Sequence, residues 1–256
     1  YLYSASLWGL MVRELGGVEL PLSTTLRVFF TANLGRYLPG KVWQLAGLAY
    51  LAKKQGVTAS AATAAALLGQ LLSLAGATLI GSGVLLEMEL GEVGGGWLAG
   101  GILAILVILT FPTLLRPLLK RLLVRVRGLQ VGPLWPDQAF GVRWLGLYAV
   151  SWILLGGAFW LLVGGLGWEM SLVQGVAIFP AAYLLGYVAL FAPAGIGVRE
   201  GFLIVFLEPI LGIGAGVVAV IARLWTTGVE LIPALLLSGK YLRNNREHEN
   251  EGGSSA

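Results

Sequence analysis

The sequence contains no cysteine and a single histidine, His248, which lies in the polar stretch "NNREHENEGGSSA". Disulfides, cysteine-ligated zinc, iron–sulfur clusters and a thiol nucleophile are thereby excluded. No imidazole is placed to serve a metal site or a catalytic dyad inside the apolar body of the chain, so neither a cofactor nor a metal is expected and no catalytic residue is assigned. Charge is also scarce. Asp, Glu, Lys and Arg make up 12% of the 256 residues, roughly half the share found in soluble domains. No G-x-x-x-x-G-K-[ST] motif occurs, which leaves no phosphate loop for a nucleoside triphosphate to drive transport.

Apolar residues fill the space these absences leave. They make up 57% of the chain, the mean hydropathy is +0.83, and runs near the ~20 residues needed to cross a bilayer recur. The composition indicates an all-α, polytopic integral membrane protein with one membrane domain over residues 1–240. Residues 241–256 read as a polar tail, with "GGSSA" as a cloning remnant. The first residue is Tyr rather than Met, so the start of the first helix is expected to be missing or processed. The net charge of +4 is explained by basic loops on the cytoplasmic side better than by nucleic acid, and no nucleic-acid partner is expected.

Along the chain, 1–12 reads as the end of a spanning helix, closed by Arg13 and Gly16-Gly17. Residues 59–86, 97–115, 139–165 and 212–237 read as crossings, the first rich in small residues that let helices approach closely. The stretch "RPLLKRLLVRVRG" is predicted as a basic interfacial helix. With the 116–137 loop set in the cytoplasm, 12 of the 17 basic residues fall inside and none outside. That satisfies the positive-inside rule and puts the C-terminus in the cytoplasm of a multi-pass protein of the inner (cytoplasmic) membrane.

Two segments are interrupted. Residues 22–55 break at "RYLPGK" and residues 172–209 break at "FAPAGIGVRE"; Pro39, Gly40, Pro193, Gly195 and Gly197 supply the breaks. Each segment precedes one full crossing, which gives repeat units of about 22–86 and 172–237. Threading sets the two starts on opposite sides. The prediction is therefore two re-entrant hairpins in an inverted repeat, an arrangement that points to a transport site near the midplane.

The breaks carry cations where hydrocarbon is expected. Arg36, Lys41, Arg199 and Arg223 would together cost on the order of 10 kcal/mol if left unpaired at the bilayer centre. Glu200, Glu208 and Glu230 are the available counter-ions, with Glu200 or Glu230 also able to couple to a proton. Four cations against three carboxylates leave positive charge for an anion, and a lipid phosphate is the anion a bilayer offers; Arg grips it as a fork and Lys as a point charge. Gln44 and Gln70 could donate to the same head group or to neighbouring helices.

The motifs "ANLGRYLPGKVWQ", a small-residue helix containing Gln70, "FAPAGIGVREG" and "ARLWTTGVELI" together resemble the lysylphosphatidylglycerol synthase transmembrane-region family, also called flippase-like domain proteins. The resemblance covers roughly residues 20–240. It implies a lipid translocase fold; in multidomain members such a domain moves aminoacylated phosphatidylglycerol between leaflets while a separate soluble domain performs the aminoacyl transfer. Only a short polar stretch follows position 240 here, so that transfer activity is not expected. The expected substrate is an anionic or aminoacylated phospholipid, or a polyprenyl-phosphate-linked lipid, and the chain is expected to be a transporter rather than an enzyme. A homo-oligomer and a separate synthase partner both fit this expectation. Two competing functions are an intramembrane lipid-phosphate transferase with Glu200 or Glu230 as base, and a small-solute secondary transporter.

Overall fold

A computed structural model of the chain describes residues 1–38, 42–87, 138–189, 192 and 195–253. Among these, every regular element is helical. We number the described helices α1 (Leu2–Gly16), α2 (Leu22–Asn33), α3 (Trp43–Lys53), α4 (Ala59–Glu87), α5 (Gln138–Gly165), α6 (Leu172–Val188), α7 (Val198–Leu211) and α8 (Gly214–Gly253). A single 3-10 turn, Leu34–Tyr37, follows α2. The expected crossing at 97–115 and the basic helix after it lie outside the described residues, as do Pro39, Gly40, Lys41 and Pro193.

Among the described residues, three helical stretches are long and apolar enough to cross a membrane: Ala59–Ser82, Ala139–Gly165 and Gly214–Leu237. The chain is a membrane protein, and its outward faces are made for lipid. On α8, Val217, Val220 and Leu224 are exposed while Val218, Ala219 and Ala222 are buried, the alternation of a helix with one packed face and one apolar outer face. The helical backbone of α8 continues to Gly253, through the stretch expected as a polar tail.

Helices α2, α3, α6 and α7 are too short to cross. At 1.5 Å per residue, α2, α3, α6 and α7 are about 18, 17, 26 and 21 Å long, against a hydrocarbon core of about 30 Å. They pack as two pairs. In the first, Asn33 meets Gln44, and Gly47 sits against Ala32, so α2 and α3 run antiparallel with the break at their tip. In the second, α6 packs on α7 and Gly186 touches Arg199.

The pairs open toward different ends of α5. Glu14 at the end of α1 bridges Arg143 near the start of α5. Gly16 packs against Val57 and Ala61, which brings the outer ends of α2 and α3 to the same end. At the other end of α5, Gly175 of α6 packs on Trp160, and Gly214 follows α7 onto Trp168.

Small residues set how closely these helices pack. A Cβ at Gly76 would lie 3.1 Å from the Ala149 nitrogen, and one at Gly81 would lie 2.8 Å from that of Ala181. Here α4 lies directly on the backbones of α5 and α6, as its composition predicts. Two apolar cores result. One is built on Leu7, Met11, Leu48, Leu68 and Trp144, the other on Phe159, Phe179, Leu203, Leu207 and Val218. α4 and α5 thread both, and the polar residues gather at the seam.

Candidate functional site

The first break places Arg36 on the 3-10 turn, and Gly35 makes that turn possible. A Cβ on Gly35 would lie 2.6 Å from the carbonyl carbon of Trp43, so only glycine lets the turn close onto the start of α3. The second break relies on two glycines in the left-handed region, Gly195 (φ +69) and Gly197 (φ +82), which L side chains adopt at a cost. Gly195 is constrained twice, since its Cβ would also meet the Gly186 carbonyl oxygen at 2.9 Å.

Both tips meet one face of α8. Arg223, Thr226, Thr227 and Glu230 follow the three-and-four spacing that aligns residues along a helix. With Arg36, Tyr37, Gln44, Tyr183, Tyr187 and Arg199 they line a recess of about 30 Å³, room for roughly two or three waters.

Arg36 bridges Glu230 and donates to the Tyr183 hydroxyl at 2.6 Å. Glu230 is 3% exposed and also accepts from the Tyr37 hydroxyl at 2.9 Å and the Tyr1 hydroxyl at 2.6 Å. Arg199 is 5% exposed and donates to Thr226 Oγ1 at 2.8 Å. Glu200 lies 3.8 Å from the Arg199 Nε and 3.5 Å from Arg223. Each guanidinium also lies over an aromatic ring: Arg36 over Tyr183, Arg199 over Phe179 and Arg223 over Tyr37, at 5.7–6.0 Å, where the ring face favours a cation.

The described residues of the site thus hold three guanidiniums and two carboxylates. One expectation needs correction. Glu208 is exposed and is not a counter-ion here, because its position on α7 faces away from the recess. The α7 N-terminus is capped by its own Glu200, whose Oε2 accepts the Gly197 N–H at 2.6 Å. A helix N-terminus favours a carboxylate, and the sequence supplies one three residues in. Gln44 lines the recess but gives its amide to Asn33 Oδ1 at 2.5 Å. Gln70 is not in this recess; it lines a neighbouring chamber that shares Arg36, Gln44 and Tyr183 with it.

Sequence reasoning did not single out Tyr37, Tyr183, Thr226 or Gly35. The polar stripe of α8 was the available signal, four polar positions on one face of an otherwise apolar crossing. The tyrosines gave none, because a span tyrosine is ordinarily an interfacial or packing residue.

The model of one protein family, described as lysylphosphatidylglycerol synthase TM region, matches residues 1–237. No curated protein and no solved structure matches the chain.

Proposed function

The chain belongs to the lysylphosphatidylglycerol synthase TM-region family, and from that premise we propose that it moves an anionic lipid between leaflets, with the phosphate passing through the arginine recess. The observation that carries this reading is the convergence of Arg36, Arg199 and Arg223 on one recess beside two carboxylates among the described residues, in a protein whose outer faces are apolar. Buried charges persist in membrane proteins where they serve a pathway, and a surplus guanidinium is stabilised by a phosphate that accepts two hydrogen bonds. The acyl chains stay in the bilayer while the head group crosses the seam between the two cores.

The two broken pairs act as re-entrant hairpins in an inverted repeat. Their opening toward opposite ends of α5 supports this, as does the order short, short, long in each unit. Residues Arg13, Lys53, Lys54 and Arg143 then face the cytoplasm of a bacterial inner membrane, with the C-terminus on the same side. The chain acts as a transporter rather than an enzyme, either as a facilitated scrambler or coupled to an ion or proton gradient through Glu230.

The test is reconstitution in liposomes carrying acyl-labelled phosphatidylglycerol, with a membrane-impermeant reductant added outside. The wild type should expose label from both leaflets. Arg199→Gln combined with Arg223→Gln should slow this by at least about tenfold, the loss expected from removing charge-assisted hydrogen bonds of roughly 1.5–3 kcal/mol each. A double variant as fast as the wild type, or equal movement of labelled phosphatidylcholine, would refute the proposal.

A further inference from the structure

A chamber of about 90 Å³ adjoins the recess and shares Arg36, Gln44 and Tyr183 with it; it has room for roughly six to nine water-sized atoms. We infer that this chamber seats an uncharged, hydroxyl-bearing part of the head group, so that the preferred substrate is a phosphodiester lipid with a neutral polyol head; the inference rests on the arginine-recess reading above.

The walls carry the argument. Ser4, Gln70, Ser73 and Ser151 supply neutral polar groups, and Trp8 and Tyr148 supply aromatic faces. Arg36 is the one ionisable Asp, Glu, Lys, Arg or His in the lining, and Glu230 lies on the recess side, tied to Arg36. Several wall groups lack partners among the described residues. The Trp8 indole N–H is buried without an acceptor in a side chain only 2% exposed. Gln70 is half-buried and makes no hydrogen bond with a described residue, although its amide can donate twice and accept twice. Ser4 and Ser151 hold each other at 2.8 Å, which leaves further lone pairs facing the space.

Three kinds of head group can be compared against such walls. An apolar one would strand these donors and acceptors, which is unfavourable at a buried site. A cationic one would meet Arg36 and no carboxylate, losing its hydration without an opposite charge in return. A neutral polyol fits: its hydroxyls donate and accept, and its carbon skeleton lies on the aromatic faces. Its phosphate meanwhile remains with the three arginines. Sites built to hydrogen-bond a hydroxyl also discriminate strongly against analogues that lack it.

The test measures lipid retention on the purified full chain by native mass spectrometry. The probes are phosphatidylglycerol, phosphatidic acid, lysylphosphatidylglycerol and phosphatidylcholine with matched acyl chains. Phosphatidylglycerol should bind about tenfold more tightly than phosphatidic acid, the gain expected from satisfying buried polar groups, and more tightly than lysylphosphatidylglycerol. Gln70→Leu should bring phosphatidylglycerol down to the level of phosphatidic acid and leave phosphatidic acid unchanged. Gln70→Glu adds a carboxylate to the chamber and should raise lysylphosphatidylglycerol above phosphatidylglycerol, a gain that a misfolded protein cannot show. Equal binding of phosphatidylglycerol and phosphatidic acid, both weakened by Arg223→Gln, would overturn the chamber and leave the recess standing. Tightest binding of lysylphosphatidylglycerol to the wild type, or its continued exclusion by Gln70→Glu, would overturn the chamber as well. Binding of no anionic lipid above phosphatidylcholine would overturn the recess and the chamber with it.

Discussion

Arg36 and Glu230 stand 194 residues apart in sequence and bridge one another between the first break and α8. The Glu230 side chain is 4% exposed and that of Arg36 16%, so removing either partner leaves a buried charge without compensation. Breaking such a pair costs about 3–5 kcal/mol. The partial exposure of Arg36 argues for the lower end for Glu230→Gln, and the deeper burial of Glu230 for the upper end for Arg36→Met. Replacing both, as Arg36→Met with Glu230→Leu, removes the unpaired charge altogether and should cost far less than the sum of the singles. The assay is thermal unfolding in detergent for the wild type, both singles and the double. For a chain of this length, 3 kcal/mol corresponds to a fall of roughly 6–12 °C in midpoint. The double should recover most of that stability while losing lipid movement, because Arg36 is also a recess cation. Additive losses would show that the two residues do not act as a pair, and singles as stable as the wild type would show that the bridge is not buried in the working protein.

Three further outcomes follow from the packing. Gly35→Ala should lower the thermal midpoint, since its methyl would strike the Trp43 backbone, whereas Gly201→Ala, which meets nothing within 4 Å, should be neutral or stabilising by roughly 0.5–1 kcal/mol; the reverse order would contradict the described turn. Thr226→Val should destabilise by about 1–3 kcal/mol by leaving Arg199 short of an acceptor in a buried place, and Thr226→Ser should retain most of the wild-type midpoint. Leu224→Arg puts a charge on the 67% exposed outer face of α8 and should oppose membrane insertion by about 2.5–3.5 kcal/mol near the bilayer centre, read as reduced membrane-integrated protein; normal integration would show that this face does not meet lipid.

Helix breaks are legible in a sequence because their cause is local. Gly195 and Gly197 take backbone angles other residues resist, and 34–37 leaves the α-helix just where the sequence reading interrupts it. The small-residue helix announced its close contacts, and Gly76 and Gly81 make them. Which carboxylate serves which cation could not be read the same way. Glu200 and Glu208 lie on the same helix eight residues apart, and one holds two arginines and a helix end while the other faces outward. Gln70 and Gln44 looked alike, yet Gln44 is spent on Asn33 and Gln70 stands in the second chamber.

By itself the sequence determined the solvent this chain is built for, the helices and their interruptions, and an excess of cations over carboxylates near those interruptions. Hydropathy and backbone preference act over a few residues and do not wait for the rest of the fold. Only the tertiary structure decided that both interruptions end on one stripe of α8 and that the charged recess and the second chamber share a single arginine. Those relations join residues from 27 to 194 positions apart, and they exist only once two apolar cores have packed and left a polar seam between them.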